Sequence, residues 1–407
     1  MTLKIRIDQS VPPSGSYRSE RVRSMFNATD EQATRFTLNM DVDLDLDNGD
    51  WNVGVIVGPS GSGKSSIGRS LWDGAAWYEP DNWKPGVAVV DAIAPGGDFT
   101  SVTGALASAG LGDVPVWLRP YEVLSTGQKF RADLARVLAE QPDRVVFDEF
   151  TSVVDRQIAR VGAAAFSKAW KRTGKKAVLL SCHYDILDWV EPDWVIDTAT
   201  NTFRLADDKE GHRRWTKPKI DVEIRVGGWE LWQLFKQHHY LDLPLMVAAK
   251  CYVAFVDGEP VAHLAVGTKN VAVKREGKKL LQAVETRGSR LVVMPEWQGA
   301  GIGMRFLDCV AQLQMDGLGV LPGRKMTMQF QTSHPQLCAS LRRSRRWRQV
   351  SGSLFGQDKG RSALSLLASQ ERQAAEGLAG RSAKTGFGGH MRAVQGFRYY
   401  GQAGVEA

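Results

Sequence analysis

The stretch Trp51-Asn52-Val53-Gly54-Val55-Ile56-Val57-Gly58-Pro59-Ser60-Gly61-Ser62-Gly63-Lys64-Ser65-Ser66 (residues 51–66) decides the fold of the first half of this chain. Trp51 to Val57 is an apolar run of strand length. It leads straight into the glycine-rich octet 58–65, and a helical pattern begins at Ser65. A strand, a loop of this spacing and a helix make a phosphate-binding loop. The glycines let backbone N–H groups converge on phosphate oxygens, and the helix N-terminus adds a favourable dipole. Lys64 is placed to reach the β and γ phosphates, and Ser65 to ligate Mg²⁺. Gly58, Ser60, Gly61, Gly63, Lys64, Ser65 and Ser66 are the expected nucleotide-holding residues, with ATP and Mg²⁺ as cofactors.

Downstream, Val145 to Phe147 and Ala177 to Leu180 read as short buried strands of a parallel sheet. The first ends on Asp148-Glu149, with Asp148 suited to hold the metal and Glu149 to polarise an attacking water. The second is followed by His183, placed to sense the γ phosphate. Upstream, residues 37–46 alternate apolar and polar, the pattern of a half-buried strand. Residues 80–120 are rich in Pro and Gly and read as loop-dominated, and Phe130 to Ala139 has helical spacing.

At 407 residues the chain is long enough for two domains, each with its own core. The fully polar run Asp207 to Arg214 marks the expected boundary, giving 1–215, 216–350 and a basic C-terminal extension, 351–407, packed on the second domain. The N-terminus has no apolar leader core, no apolar run approaches 18 residues and the four cysteines are scattered. These features point to a cytoplasmic protein with no membrane span, no disulfide framework and no cysteine-built zinc site. Net charge is +7, and residues 340–407 hold 12 Lys and Arg against 4 Asp and Glu, so the basicity lies at the C-terminal end. Arg342-Arg343-Ser344-Arg345-Arg346-Trp347-Arg348 and Phe397-Arg398-Tyr399-Tyr400 interleave aromatic and cationic residues there. That pattern suits DNA or RNA, with Trp347 stacking on a base, or equally a solvated face with Trp347 in the core.

The second half reads as a hairpin around Asp257-Gly258, a strand at 290–293 and a helix at 301–313. Between the last two lies Val293-Met294-Pro295-Glu296-Trp297-Gln298-Gly299-Ala300-Gly301-Ile302-Gly303, a glycine turn that lets backbone approach a pyrophosphate at a helix N-terminus. A helix-patterned run, 363–379, and a glycine stretch, 385–389, follow near the C-terminus. His238, His239, Tyr240, Glu285 and His334 are the groups of this half suited to accept a proton.

Several of these motifs carry family resemblances. Leu124-Ser125-Thr126-Gly127-Gln128, the pair Asp148-Glu149, Asp155 and His183 together resemble the ABC-type ATPases. The resemblance implies that Ser125, Gly127 and Gln128 form that family's signature, that Asp155 belongs to the loop after the acidic pair, and that ATP is sandwiched in a head-to-tail homodimer. About 60 residues separate Lys64 from the signature and no glutamine lies between Ser65 and Gly127. The usual helical subdomain is therefore shortened and its coupling glutamine is missing, which argues against a transporter. The strand, Gln298-Gly299-x-Gly301-x-Gly303 and helix resemble the cofactor loop of GNAT-type N-acetyltransferases. That resemblance implies acetyl-CoA held by Val293, Gln298, Gly299, Gly301, Ile302 and Gly303. The combination is similar to a bacterial and phage group that fuses the two domains, and the second half more distantly resembles Mom-type DNA-modification proteins. The implied fold is α/β, a P-loop ATPase domain followed by an α+β GNAT-like domain. The implied activity is ATP-dependent acyl transfer to an amine, on a nucleic acid, on a protein or on a small molecule. A regulatory ATPase with a silent second domain is the remaining alternative.

Overall fold

The computed structural model describes residues 2–10, 12, 14–26, 35–72, 77–80, 83–207, 210–217, 219–239, 246, 248–275, 278–353 and 393–401. The chain forms two compact units. One comprises Met1–Gly86, Ala92–Ala94 and Tyr121–Pro218; the other comprises Val87–Asp91, Pro95–Pro120 and Lys219–Ala407. The helix expected at 363–379, the glycine stretch 385–389 and Tyr240 lie outside the described residues.

The first unit opens with an antiparallel pair, β1 (Thr2–Ser10) and β2 (Arg35–Asp43), joined through α1 (Tyr17–Phe26). β2 stops short of residue 46. The Asp45 side chain accepts the N–H groups of Asp47 (3.2 Å) and Asn48 (2.9 Å), which turns the chain. Next come β3 (Val53–Val57) and α2 (Lys64–Leu71). After α3 (Phe99–Ser108), which folds into the other unit, the first unit resumes with α4 (Thr126–Glu140), β4 (Arg144–Phe147) and α5 (Arg156–Trp170). β5 (Lys176–Ser181), α6 (Ile186–Val190), β6 (Trp194–Asp197) and β7 (Thr202–Leu205) complete it. The sheet order is β4-β5-β3-β6-β7, parallel except for β7. All five residues of β3 are buried. Its unbroken apolar run follows, because a central parallel strand faces core on both sides. Ile67 and Leu71 of α2 share one core with Ile5, Met40 and Val42 of the β1–β2 pair and with Ile56, Leu180 and Trp194 of the sheet.

The second unit is built on a seven-stranded sheet. Its elements are β8 (Glu223–Gly227), α7 (Trp232–Lys236), β9 (Lys250–Val256), β10 (Glu259–Arg275), β11 (Lys278–Val293), α8 (Ile302–Met315), β12 (Met328–Thr332), α9 (Pro335–Arg343), β13 (Trp347–Ser353) and β14 (Val394–Tyr399). The order is β13-β14-β12-β11-β10-β9-β8. Among the described residues of this sheet only β11 and β12 pair in parallel; the other neighbours are antiparallel.

Two sequence expectations are refined here. Residues 80–120 are not loop alone: within them α3 is a ten-residue helix, capped by Asp98, whose carboxylate accepts Thr100 N (2.9 Å) and Ser101 N (3.0 Å). Apart from Gly104 within it, the prolines and glycines nearest the helix sit on either side, at 95–97 and 110–115. Of the two readings of the basic end, the one that places Trp347 in the core is the one the structure takes. Trp347, Phe397 and Tyr399 are buried, and the Trp347 indole N–H donates to Asp308 (2.7 Å). The pleat sends alternate residues of β14 inward, and burying large rings is worth more than leaving them wet.

Candidate functional site

In the first unit the parallel register gathers the predicted residues. Val57 lies opposite Ser181 of β5 and Asp197 of β6, and Phe147 lies opposite Leu179. The phosphate loop, Asp148-Glu149, His183 and Thr198 therefore leave the sheet at one edge, the carboxyl ends where α/β sheets bind ligands. The loop geometry follows from its glycines. Gly61 (φ 77°) and Gly63 (φ 85°) are left-handed, and a Cβ at Gly61 would meet nothing within 4 Å. Gly58 has no room for a side chain, since a Cβ would overlap Thr198. Ser62 Oγ lies 2.5 Å from Thr198 Oγ1, which donates to Val57 O (3.1 Å). Lys64 Nζ folds back on the loop and donates to the carbonyls of Gly58 (2.9 Å) and Pro59 (2.7 Å). Asp148 and Glu149 are exposed, and Glu149 sits at φ 48° with its N–H on Asp148 Oδ1 (2.9 Å). His183 is half-buried, its backbone N–H held by Ser181 Oγ (3.1 Å). Sequence reasoning missed Asp197 and Thr198. The signal was a polar pair closing the apolar run Trp194 to Ile196.

Ser125, Gly127 and Gln128 open α4. Ser125 Oγ accepts Gln128 N (3.3 Å) while Gln128 Oε1 accepts Ser125 N (3.1 Å), a complete capping box on an exposed helix start. A Cβ on Gly127 would stand 2.8 Å from Ile158 Cδ1, so α4 and α5 pack closely there. Asp155 caps α5, accepting Gln157 N (2.8 Å) and Ile158 N (3.4 Å). Also on α4, the Asp133 carboxylate takes three bonds, from Tyr78 OH (2.7 Å), Trp83 Nε1 (2.9 Å) and Tyr121 OH (3.0 Å). Burial pushes its pKa up to about 6 against the pull of these donors.

In the second unit a cleft of about 360 Å³ collects residues that are far apart in sequence: His238, His239, Gln298, Gly299, Gly301, Ile302, Gly303 and His334, with Val293 at its wall. Its cause is a local failure of sheet pairing. β11 and β12 pair at Thr286↔Met328, Arg287↔Gln329 and Gly288↔Phe330, and then part. Residues 289–293 of β11 and 331–332 of β12 face the opening. A bulge sets the parting: His263↔Val292 and Ala265↔Ser289 leave Arg290 and Leu291 opposite Leu264, with Arg290 at φ 58°. The buried His263 fixes it through Nδ1, 3.2 Å from Arg290 O, among the rings of Trp229, Trp232 and Phe235. Burial holds its pKa down at about 4, so the ring is neutral and Nδ1 donates.

The glycine loop turns at Gly299 (φ 94°) and Gly301 (φ 79°) to start α8. A Cβ on Gly301 would meet nothing, whereas one on Gly303 would lie 3.2 Å from Val293 Cγ2, so this glycine lets helix and strand close up. Gln298 is committed to structure, its Nε2 donating to Val293 O (3.0 Å) and its Oε1 accepting Gly112 N (2.8 Å). His334 has a different part from the proton-accepting one expected of it. Nδ1 accepts Leu337 N (3.4 Å) as the cap of α9 and Nε2 reaches Gly112 O (3.2 Å), so neither nitrogen is left for a substrate. Glu285 lies outside the cleft lining, paired with Arg398 (2.8 Å) and Gln329 (2.6 Å). Gly112, which sequence reasoning did not single out, completes the wall.

No protein-family model matches the chain. Among curated proteins it is 32% identical over 163 residues to the cytochrome c biogenesis ATP-binding export protein CcmA of Rhodospirillum rubrum, a match covering 32% of this chain and 68% of that protein. It is 30% identical over 159 residues to the energy-coupling factor transporter ATP-binding protein EcfA1 of Latilactobacillus sakei, covering 30% of this chain and 56% of that one. The chain thus spans little more than half the length of the latter relative. Among solved structures, a dimeric ABC transporter cassette aligns at a TM-score of 0.35 and 16% identity over 48% of this chain and 94% of its own. Among the described residues no helix is long and apolar enough to cross a membrane.

Proposed function

The chain belongs to the ABC-type ATPases through its N-terminal half, and from that premise we propose that it is an ATP-hydrolysing acyltransferase whose second unit uses acetyl-CoA or a close relative. For the first unit, the gathering of loop, acidic pair and His183 at one sheet edge supports the reading. ATP supplies a γ-phosphoryl group to be cleaved. Gly61 and Gly63 leave the loop N–H groups accessible, Lys64 needs only to swing from two loop carbonyls, Ser65 and Asp148 are the metal-side oxygens, and Glu149 orients the water. Ser125, with Gly127 and Gln128 behind it, presents the start of α4 to the nucleotide of a second copy, and Asp155 stands at the same junction, in a head-to-tail homodimer.

For the second unit, one observation carries the proposal: the parallel pair β11–β12 opens after Gly288 and Phe330 onto a glycine loop at a helix start. Acetyl-CoA supplies a thioester carbonyl activated towards amines. Its pyrophosphate suits the N–H groups at Gly299, Gly301, Ile302 and Gly303, and its amide arm suits the backbone of residues 289–293, which lines the cleft. Gln298 ties the loop to β11, His334 holds the wall, and His238 and His239 at the cleft margin are the proton acceptors, with Tyr240 next to them in sequence. The acceptor is an amine. Exposed Arg342, Arg343, Arg345 and Arg348 favour one carried by a polyanion, DNA or RNA.

Label transfer tests this. Protein, ATP and labelled acetyl-CoA are incubated with cell extract, and the extract is split into nucleic acid, protein and small molecules. Label in nucleic acid, abolished by His238→Ala/His239→Ala and by Lys64→Ala, is the expected result. Label in protein or small amines replaces the acceptor. ATP hydrolysis with no transfer and no binding of acetyl-CoA sinks the acyltransferase reading.

A further inference from the structure

In the first unit, the turn after β4 carries Asp148 and Glu149, and the turn after β5 carries His183. The two turns are tied to each other at three levels. At the base, Phe150 N donates to Leu180 O (2.7 Å). Midway, Ser152 Oγ and Cys182 Sγ lie 4.0 Å apart, and the same sulfur stands 3.5 Å from His183 Nδ1. At the far end Arg156, the first residue of α5, meets Asp185 as a fork, Nε on Oδ2 (3.1 Å) and Nη2 on Oδ1. Glu149 and His183 lie in sequence on the two rails of this ladder, between its base and its far rung.

The far rung is more than a surface ion pair. Asp185 stands at the N-cap of α6, where an aspartate ordinarily accepts helix N–H groups, yet its carboxylate makes no capping bond and both oxygens go to Arg156. The guanidinium lies over the buried Trp189 ring, 4.8 Å from its centroid, and its remaining nitrogen, Nη1, reaches Thr151 O and Thr151 Oγ1 (both 3.4 Å). Thr151 is buried at φ 69°, and Glu149 sits at φ 48°. Left-handed backbone is costly for residues other than glycine and persists where the surroundings hold it. Arg156 is one of the groups that hold this turn. With side chains 37% and 47% exposed, the pair adds little to stability. What a planar, two-bond fork supplies is direction.

We propose that Arg156 and Asp185 are positioning residues for ATP hydrolysis: their fork fixes the spacing between the Glu149 turn and the His183 turn, so that the carboxylate that orients the water and the imidazole that meets the γ phosphate face the same phosphorus. This rests on the ATPase part of the function proposed above and on none of its acyltransferase part. Both residues act through the backbone of the turns they join. Binding of ATP by the phosphate loop does not depend on them, whereas attack by water does, since a shift of about 1 Å in a group that orients a reactant lowers the rate by up to about a hundredfold.

The experiment measures steady-state ATP hydrolysis and urea unfolding of the full chain, as the parent, as Arg156→Lys, as Asp185→Asn and as the double variant. Arg156→Lys keeps the charge but not the fork, and Asp185→Asn keeps the shape but not the charge. Each single variant should lower kcat about tenfold, with KM for ATP within about twofold of the parent and the urea midpoint unmoved. The double variant should be no slower than the slower single, because both changes remove one interaction. The loss should also be constant over a roughly tenfold range of protein concentration, which separates it from weakened pairing of two copies. Single variants within about twofold of the parent kcat overturn the clasp. So do losses that multiply in the double variant, that recover at high protein concentration, or that follow a fall in the urea midpoint. A parent chain that binds ATP·Mg²⁺ without hydrolysing it overturns the ATPase reading itself, and the clasp with it.

Discussion

At the scale of the residue, Asp133 shows how a single carboxylate records its surroundings. Three aromatic donors converge on it, Arg136 lies over the Trp83 ring (5.2 Å to the centroid), and burial still dominates and raises its pKa to about 6. The folded protein thus holds a proton that the unfolded chain releases near pH 4. Its contribution to stability is present below that pH and is lost as pH rises through about 6. Two pKa units correspond to about 3 kcal/mol at most. Asp133→Asn cannot ionise, so urea unfolding of parent and variant between pH 4 and pH 7 should show stabilities that diverge as pH rises, in the variant's favour. Parallel curves would mean that Asp133 is ionised throughout. None of this was legible in the sequence, because Tyr78, Trp83 and Tyr121 reach Asp133 from positions 12 to 55 residues away.

At the scale of the element, the local signals were strong where backbone chemistry alone sets them. The phosphate loop, the capping box at Ser125 and the Asp257-Gly258 turn, with both residues at positive φ, are each written within a few residues. β3 shows the limit. Its apolar run announces a buried strand, but the need for glycine at position 54 comes from Trp194 on the neighbouring strand, whose ring a Cβ would overlap. Trp194 in turn meets Trp51 edge-on at 5.2 Å, and Trp51 stacks on Trp72 at 5.9 Å, so the ring has nowhere to retreat. Gly54→Ala should therefore lower stability by about 3 kcal/mol or prevent soluble expression, read from the urea midpoint of the purified variant. A loss below about 0.5 kcal/mol would show that the indole repacks.

At the scale of the whole molecule, the proposed homodimer gives a direct test. The Glu149→Gln chain should double its mass by light scattering when ATP·Mg²⁺ is added and return to the monomer mass with Ser125→Arg, which places a bulky cation where the partner's phosphates would lie. An unchanged mass with ATP bound would remove the sandwich. The sequence by itself determined the ATP-binding half: its motifs are contiguous, each is read by backbone geometry within one strand–loop–helix turn, and the parallel register then brings them to one edge. It also marked the glycine loop at 298–303. Only the tertiary structure decided what that loop faces. The cleft exists because a bulge at Arg290 turns β11 away from β12 and because residues 95–120 leave the half to which their sequence position assigns them. Contacts of that kind are fixed by long-range burial and pairing, for which a linear reading of propensity and pattern holds no term.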